Sequence, residues 1–224
     1  MTASLIDTPN STVGHLDRLK AAGIKTVIRY LALGHSWKTV TAGEARAMAA
    51  AGVRLGLVFE VDGKPHGSAI GGRDGNEALA GARNAGAPDG AIIWYAVDYD
   101  PSPNEMPGIV NAFRAFRDKV GPTYRVGAYC SGYCAQALIN ADAVDTTRDR
   151  TSGQSLPCIW ITQSLGFRGS RDYLNSGKPF VLFQLMPGNT AGLDVDPNIV
   201  WHNYLGENVD IGDFLPFAEP PGVA

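Results

Sequence analysis

The 224-residue chain carries only three cysteines, Cys130, Cys134 and Cys158. So odd and sparse a set excludes a disulfide framework and reads as small buried side chains. Cys130 and Cys134 lack the Cys-x-x-Cys spacing and have no histidine nearby, which argues against a zinc site. Histidine is scarce as well: His15, His35, His66 and His202 are scattered, and none is tied by spacing to a nucleophile. No basic block stands out against the net charge of −3, so nucleic acid is not an expected partner. No apolar run reaches membrane-spanning length. The N-terminus has no basic segment followed by an apolar one, so no signal peptide is expected. The protein is then expected to stay in the cytoplasm or to leave by a route the sequence does not show. Gly-x-Gly-x-x-Gly is missing after the first strand, which weakens a nucleotide-binding reading. Ser131, in Tyr129-Cys130-Ser131-Gly132-Tyr133, does not sit in a Gly-x-Ser-x-Gly elbow.

What is present is 45% hydrophobic and 18% charged, the balance of a globular domain with a sizeable core. The run from Ala91 to Asp100, Ala-Ile-Ile-Trp-Tyr-Ala-Val-Asp-Tyr-Asp, reads as a strand buried on both faces and stopped by Pro101 and Pro103. Alternation along a strand predicts that Asp98 and Asp100 point one way and Tyr99 the other. Acids at the end of a buried strand are costly unless they are used or paired. Earlier in the chain, Ala22-Gly23-Ile24 and Ala51-Gly52-Val53 repeat the join of a helix to a strand, the mark of βαβ units. The periodicity predicts a helix from Thr12 to Ala22 and a second one capped by Thr41, with Glu44 completing a capping box. It leaves Gly63 to Gly75 as a glycine-rich loop before a helix over 76–85, and predicts a long helix from Asn104 to Val120. Residues 141–156 and 164–177 read as polar segments with little structure.

About eight strands with helices between the early ones predict an α/β fold, a single (β/α)8 TIM-type barrel with reduced later helices. A doubly wound open sheet is the runner-up. The barrel would span residues 1–215, with a Pro-rich tail over 216–224. Active sites of such barrels lie at the C-terminal ends of the strands. Those ends supply Asp7, Arg29, Tyr30, Glu60, Asp98, Asp100, Tyr129, Trp160, Gln184, Asp194 and Asp196. Each has a bland alternative: a cap, a core ring or a structural ion pair. Their gathering on one rim is harder to explain that way. Acids beside aromatic rings suit a carbohydrate, since glycoside cleavage needs a proton donor and a second stabilising group, and aromatic faces stack on sugar C–H surfaces. Clustered acids also suit a divalent metal, but no Asp-rich loop motif appears, so no metal or cofactor is expected.

The order of Asp7, Val97-Asp98-Tyr99-Asp100, Gly127-Ala128-Tyr129-Cys130-Ser131-Gly132-Tyr133, Trp160, Phe183-Gln184-Leu185 and Asp194-Val195-Asp196 resembles the family-25 glycoside hydrolases, the lysozyme-type muramidases. The chain is more similar still to their relatives, the glycoside-hydrolase-like domains of bacterial exported proteins and phage lysins. The resemblance runs from Asp7 to about Trp201. It implies a β/α barrel that cleaves the glycan strand of peptidoglycan without a cofactor, a monomer with a polysaccharide substrate. It makes Asp98 the stabilising aspartate, Asp100 the acid, and Asp7 with Asp194 or Asp196 the supporting acids. The remaining rim residues, Arg29, Tyr30, Tyr129, Trp160 and Gln184, would bind substrate. One departure stands out: the muramidases carry Asp-x-Glu where this chain has Asp98-Tyr99-Asp100. Aspartate reaches roughly 1.5 Å less than glutamate, an error that costs about a hundredfold. Glu60, on the neighbouring strand, is therefore an alternative acid. A non-catalytic sugar-binding barrel and a metal-dependent phosphodiesterase are the alternative functions.

Overall fold

The computed structural model describes residues 4–34, 36–201 and 208–217. His35, His202 and the tail from 218 onward lie outside the described residues. In chain order the elements are β1 (Leu5–Asp7), α1 (Leu16–Ala21), β2 (Thr26–Leu31), α2 (Ala42–Ala51), β3 (Arg54–Phe59), α3 (Ser68–Asn84), β4 (Ile92–Ala96), α4 (Met106–Val120), β5 (Arg125–Cys130) and α5 (Gly132–Asn140). They continue with β6 (Thr146–Arg148), β7 (Ser155–Pro157), β8 (Ile159–Ile161), α6 (Ser170–Asn175), β9 (Leu182–Gln184), β10 (Gly188–Thr190) and β11 (Leu193–Val200). Eight of the strands close a barrel in the order β1-β2-β3-β4-β5-β8-β9-β11, with β11 returning to β1. This is the α/β TIM-type barrel that the strand count predicts. No described helix is long and apolar enough to cross a membrane.

The last strand departs from the parallel pattern. β11 runs antiparallel to both β9 and β1. The segment between β9 and β11 holds no helix, only β10, which folds back on β11 as a hairpin. A short connection of that kind permits only antiparallel pairing.

Side-chain alternation divides the core in two. Ile28, Val58, Ile92, Trp94, Trp160 and Leu182 fill the barrel interior, whereas Val27, Leu57, Ile93, Tyr95, Val126 and Ile161 face the helices. Val209, Ile211 and Phe214, after the last strand, cover the end of the barrel where the strands begin. Phe214 exchanges backbone hydrogen bonds with Leu55 there, and Val209 and Ile211 join the interior cluster.

Four local expectations are corrected. The glycine-rich stretch from Gly63 is helical from Ser68, and its glycines serve packing. A Cβ at Gly71 would run into the Ala112 carbonyl of α4, and one at Gly75 would lie 2.9 Å from the Phe116 carbonyl. The missing side chains let the two helices approach closely. We expect Gly71→Ala to cost about 3 kcal/mol, the upper range for overpacking, read as a lower urea midpoint. Helix α1 starts at Leu16, because Thr12 donates both its N–H (2.8 Å) and its hydroxyl (2.9 Å) to Glu44. Segment 141–156 contains β6 and part of the β6–β7 hairpin, and segment 164–177 contains α6.

Candidate active site

At the end of β4 the chain leaves the sheet at Ala96, so the alternation that would align Asp98 with Asp100 stops there. Asp98 turns into a cavity of about 350 Å³ at the C-terminal end of the barrel. Tyr30, Glu60, Tyr129, Trp160, Gln163, Ser164, Phe167, Gln184 and Asp196 line it as well. The backbone of Asp98 is fixed by its N–H, which donates to the Gly63 carbonyl at 2.9 Å. Gly63 has φ +69°, and a Cβ on it would lie 2.8 Å from the Asp98 Cβ, so this close approach requires glycine.

Asp7 is the floor of the site and is fully buried. Asn198 Nδ2 donates to it at 2.7 Å and Gln184 Nε2 at 3.1 Å. Both amides are oriented from behind. The Trp160 Nε1–H, which can only donate, bonds Asn198 Oδ1 at 2.8 Å, and the Tyr129 hydroxyl donates to Gln184 Oε1 at 2.8 Å. The NH2 groups of the two amides are thereby turned toward Asp7. Burial pushes the Asp7 carboxyl up to about 8, with the neighbouring Asp196 adding to the rise and the Asn198 hydrogen bond opposing it. Burial thus holds Asp7 toward its protonated form. Asp98 is raised by burial and held back by the Lys38 charge. Asp196 is raised by burial and then by Asp98. Three carboxyl groups with elevated affinity for protons therefore share one pocket and its floor. Glu60 is ion-paired with Lys38 at 2.7 Å, and the Lys38 ammonium also lies 5.2 Å from the centre of the Tyr30 ring.

Three residues expected at the rim lie elsewhere. Arg29 is on the outward face of β2, buried against α2. Its Nε donates to Glu44 at 2.8 Å and its Nη1 to the Thr8 carbonyl at 2.6 Å. Odd-numbered positions of β2 face the helices, which is why Arg29 and Tyr30 part company. Glu44, expected to close the capping box, is spent on this pair, while Thr41 still caps α2 by accepting the Glu44 N–H. Asp100 is exposed and accepts the Arg168 N–H at 2.8 Å. Asp194 is exposed and accepts from Asn189 within the β10–β11 hairpin.

The sequence reading missed Lys38, Asn198, Gln163, Ser164 and Phe167. Asn198 had a signal, since it lies two residues beyond Asp196 on the same face of β11. The others sit on irregular loops after β2 and β8, where no periodicity points. Ser131 caps α5 by accepting the Cys134 N–H. Among the described residues no group of three or more His, Cys, Asp or Glu is arranged to hold a metal ion.

Residues 17–198 match the family described as Rv2525c-like, glycoside hydrolase-like domain. The chain belongs to this family. A solved structure of the Rv2525c-like type, the Tat-secreted protein Rv2525c of Mycobacterium tuberculosis in complex with HEPES, superposes with a TM-score of 0.70 at 19% identity, over 93% of this chain and 97% of that one. The catalytic domain of endolysin ply40 from bacteriophage P40 of Listeria monocytogenes gives 0.53 at 16% identity, over 86% and 91%. The modular autolysin LytC of Streptococcus pneumoniae, in complex with a synthetic peptidoglycan ligand, gives 0.53 at 12% identity, over 87% of this chain and 45% of that one. At these identities the superpositions establish a shared barrel. No curated protein sequence gives a significant match. The Rv2525c-like assignment establishes a glycoside hydrolase-like domain whose fold is shared with cell-wall lytic enzymes.

Proposed function

We propose that the cavity binds and cleaves the glycan strand of bacterial peptidoglycan, with Asp98 as the proton donor. The observation that supports this is the pairing of unlike carboxyl groups in one aromatic-lined pocket. Asp98 is raised toward the protonated form and its side chain is open to the cavity, whereas Glu60 is held by a lysine. Glycoside cleavage asks for that division, one group to protonate the leaving oxygen and one to stabilise the positive ring carbon. Asp98 gives its proton to the glycosidic oxygen as the bond to the sugar carbon breaks, water forms the new bond to that carbon, and the proton that the water sheds restores the Asp98 acid. The Glu60 carboxylate faces the developing charge. Half-buried Tyr30 and Phe167 offer ring faces for the sugar, and the buried edge-to-face pair of Tyr129 and Trp160, with ring centres 4.9 Å apart, closes the pocket beneath it. The lytic enzymes that share the fold, one of them solved with a peptidoglycan ligand, favour this polymer.

This reading revises the role that the resemblance gives Asp98. Of the two acids that the resemblance matches to the muramidase pair, Asp98 lines the cavity, whereas Asp100 is exposed and bonded to the Arg168 N–H. Asp98 is therefore given the proton donor's part, and no second acid of that segment lines the cavity. The absence of that second acid from the lining also favours a second reading, a barrel that binds glycan without cutting it.

Digestion of purified peptidoglycan separates the two. New reducing ends are trapped with borohydride and identified by mass spectrometry. Muramitol ends released by the wild-type protein are the expected result. Binding to the polymer without any new ends would leave the second reading standing, and neither binding nor ends would overturn both.

A further inference from the structure

Asp100 lies outside the cavity, yet it is placed to shape one wall of it. The loop between β8 and α6 supplies three lining residues, Gln163, Ser164 and Phe167. At its start the loop is tied to the barrel, where the Ser164 N–H donates to Thr162 Oγ1 at 3.3 Å. At its far end three ties converge on Arg168, and next to it Ser170 Oγ accepts the Gly132 N–H at 3.2 Å. The Arg168 N–H donates to Asp100 Oδ1 at 2.8 Å, its guanidinium to the Pro101 carbonyl at 3.3 Å, and its carbonyl accepts the Tyr133 N–H at 3.0 Å. The Arg168 guanidinium also lies 5.4 Å from the centre of the Tyr133 ring. Between these anchors the loop holds only short internal bonds, Leu165 to Gln163 and Phe167 to Ser164.

We propose that Asp100 is a positioning residue that fixes the Gln163–Phe167 wall against the substrate. The proposal rests on the glycan reading of the cavity for the nature of the ligand, but not for the mechanics of the loop. One short segment then does two things. Asp98 enters the pocket from the end of β4, and Asp100, two residues on, reaches past β5 to hold the loop that follows β8. The Gln163 amide and Ser164 hydroxyl are thereby presented as donors and acceptors for the hydroxyl and N-acetyl groups of an amino sugar, with Phe167 covering its apolar face. A carboxylate accepting one backbone N–H makes a charge-assisted bond, stronger than a neutral one. An asparagine can keep that bond through its carbonyl oxygen, and an alanine cannot.

That difference is the test. Hydrogen exchange by mass spectrometry over residues 163–168 is compared in wild type, Asp100→Asn and Asp100→Ala, beside the affinity of each for chitotetraose. The alanine variant is expected to exchange about tenfold faster in this loop, with the barrel strands unchanged, and to bind the tetrasaccharide about tenfold more weakly. The asparagine variant is expected to stay within about threefold of wild type on both, and to retain its turnover of peptidoglycan. Loop exchange that is unchanged in Asp100→Ala would overturn the proposal. So would an asparagine variant that binds normally but no longer turns over, since that pattern belongs to an acid in the chemistry. Wild type that binds neither the tetrasaccharide nor peptidoglycan would overturn the glycan reading, while the exchange data still decide whether Asp100 holds the wall.

Discussion

The protein is expected to lose stability between pH 4 and pH 8, and replacing Asp7 by asparagine to remove most of that loss. An acid whose pKa is raised on folding binds its proton more tightly in the folded state than in the unfolded one. Its contribution is complete below the unfolded value, near 3.8, and is lost as the pH climbs through the folded value of about 8. At about 1.4 kcal/mol per pH unit over that window, the loss is on the order of 5 kcal/mol. That is large against the whole stability of an ordinary domain. Asp98 and Asp196 act in the same direction, with less effect because both reach solvent. The asparagine brings its own cost at low pH. Its NH2 group meets the amides of Asn198 and Gln184, which Trp160 and Tyr129 have already turned to donate. The variant is thus expected to be weaker than wild type at pH 5 and to lose little further stability by pH 8. Urea unfolding at the two pH values measures this, and two parallel pH curves would show that Asp7 is ionised in the folded protein.

Asp98→Asn is expected to lower turnover of peptidoglycan at least about a thousandfold and to leave glycan affinity within a few-fold. General acid catalysis contributes typically ~10²–10⁴, and the amide keeps the shape of the side chain while losing its proton. The Asp98 N–H bond to Gly63 is a backbone contact and survives the change. Glu60→Gln is expected to reduce turnover too, and to release Lys38 from its partner at 2.7 Å. Equal losses of affinity and turnover in Asp98→Asn would place Asp98 in substrate binding instead. Turnover close to wild type would remove it from the mechanism.

Most of the barrel was legible from the chain because its early units carry two independent signals. Apolar strands and glycine-ended helices alternate, and Thr41 marks the start of α2 in both the sequence and the structure. The places that misread share a cause, since a residue's use was settled by a partner far away in sequence. Glu44 looks like half of a capping box and is committed to Arg29, fifteen positions earlier. Gly71 and Gly75 look like loop residues, and their value lies in the close approach of α4. Arg29 and Tyr30 are adjacent in the chain but sit on opposite faces of β2, a distinction that strand parity could have drawn. Tyr30, Glu60, Asp98, Tyr129, Trp160, Gln184 and Asp196 were found because strand ends converge on one rim. Lys38 and the Gln163–Phe167 wall ride on loops, whose path periodicity does not describe. Asp100 was misplaced because the alternation of β4 was carried four residues beyond Ala96, where the strand stops.

The central claim, that this cavity is where the glycan is bound and cut, is tested most directly by the structure of Asp98→Asn with a muramyl tetrasaccharide bound. The account predicts a sugar seated over the Tyr129–Trp160 pair and against the Gln163–Phe167 wall, with a glycosidic oxygen within hydrogen-bonding reach of residue 98, about 3 Å. A tetrasaccharide found instead beside Trp37, which is 73% exposed on the flank between α2 and α3, with the cavity left without sugar, would contradict it.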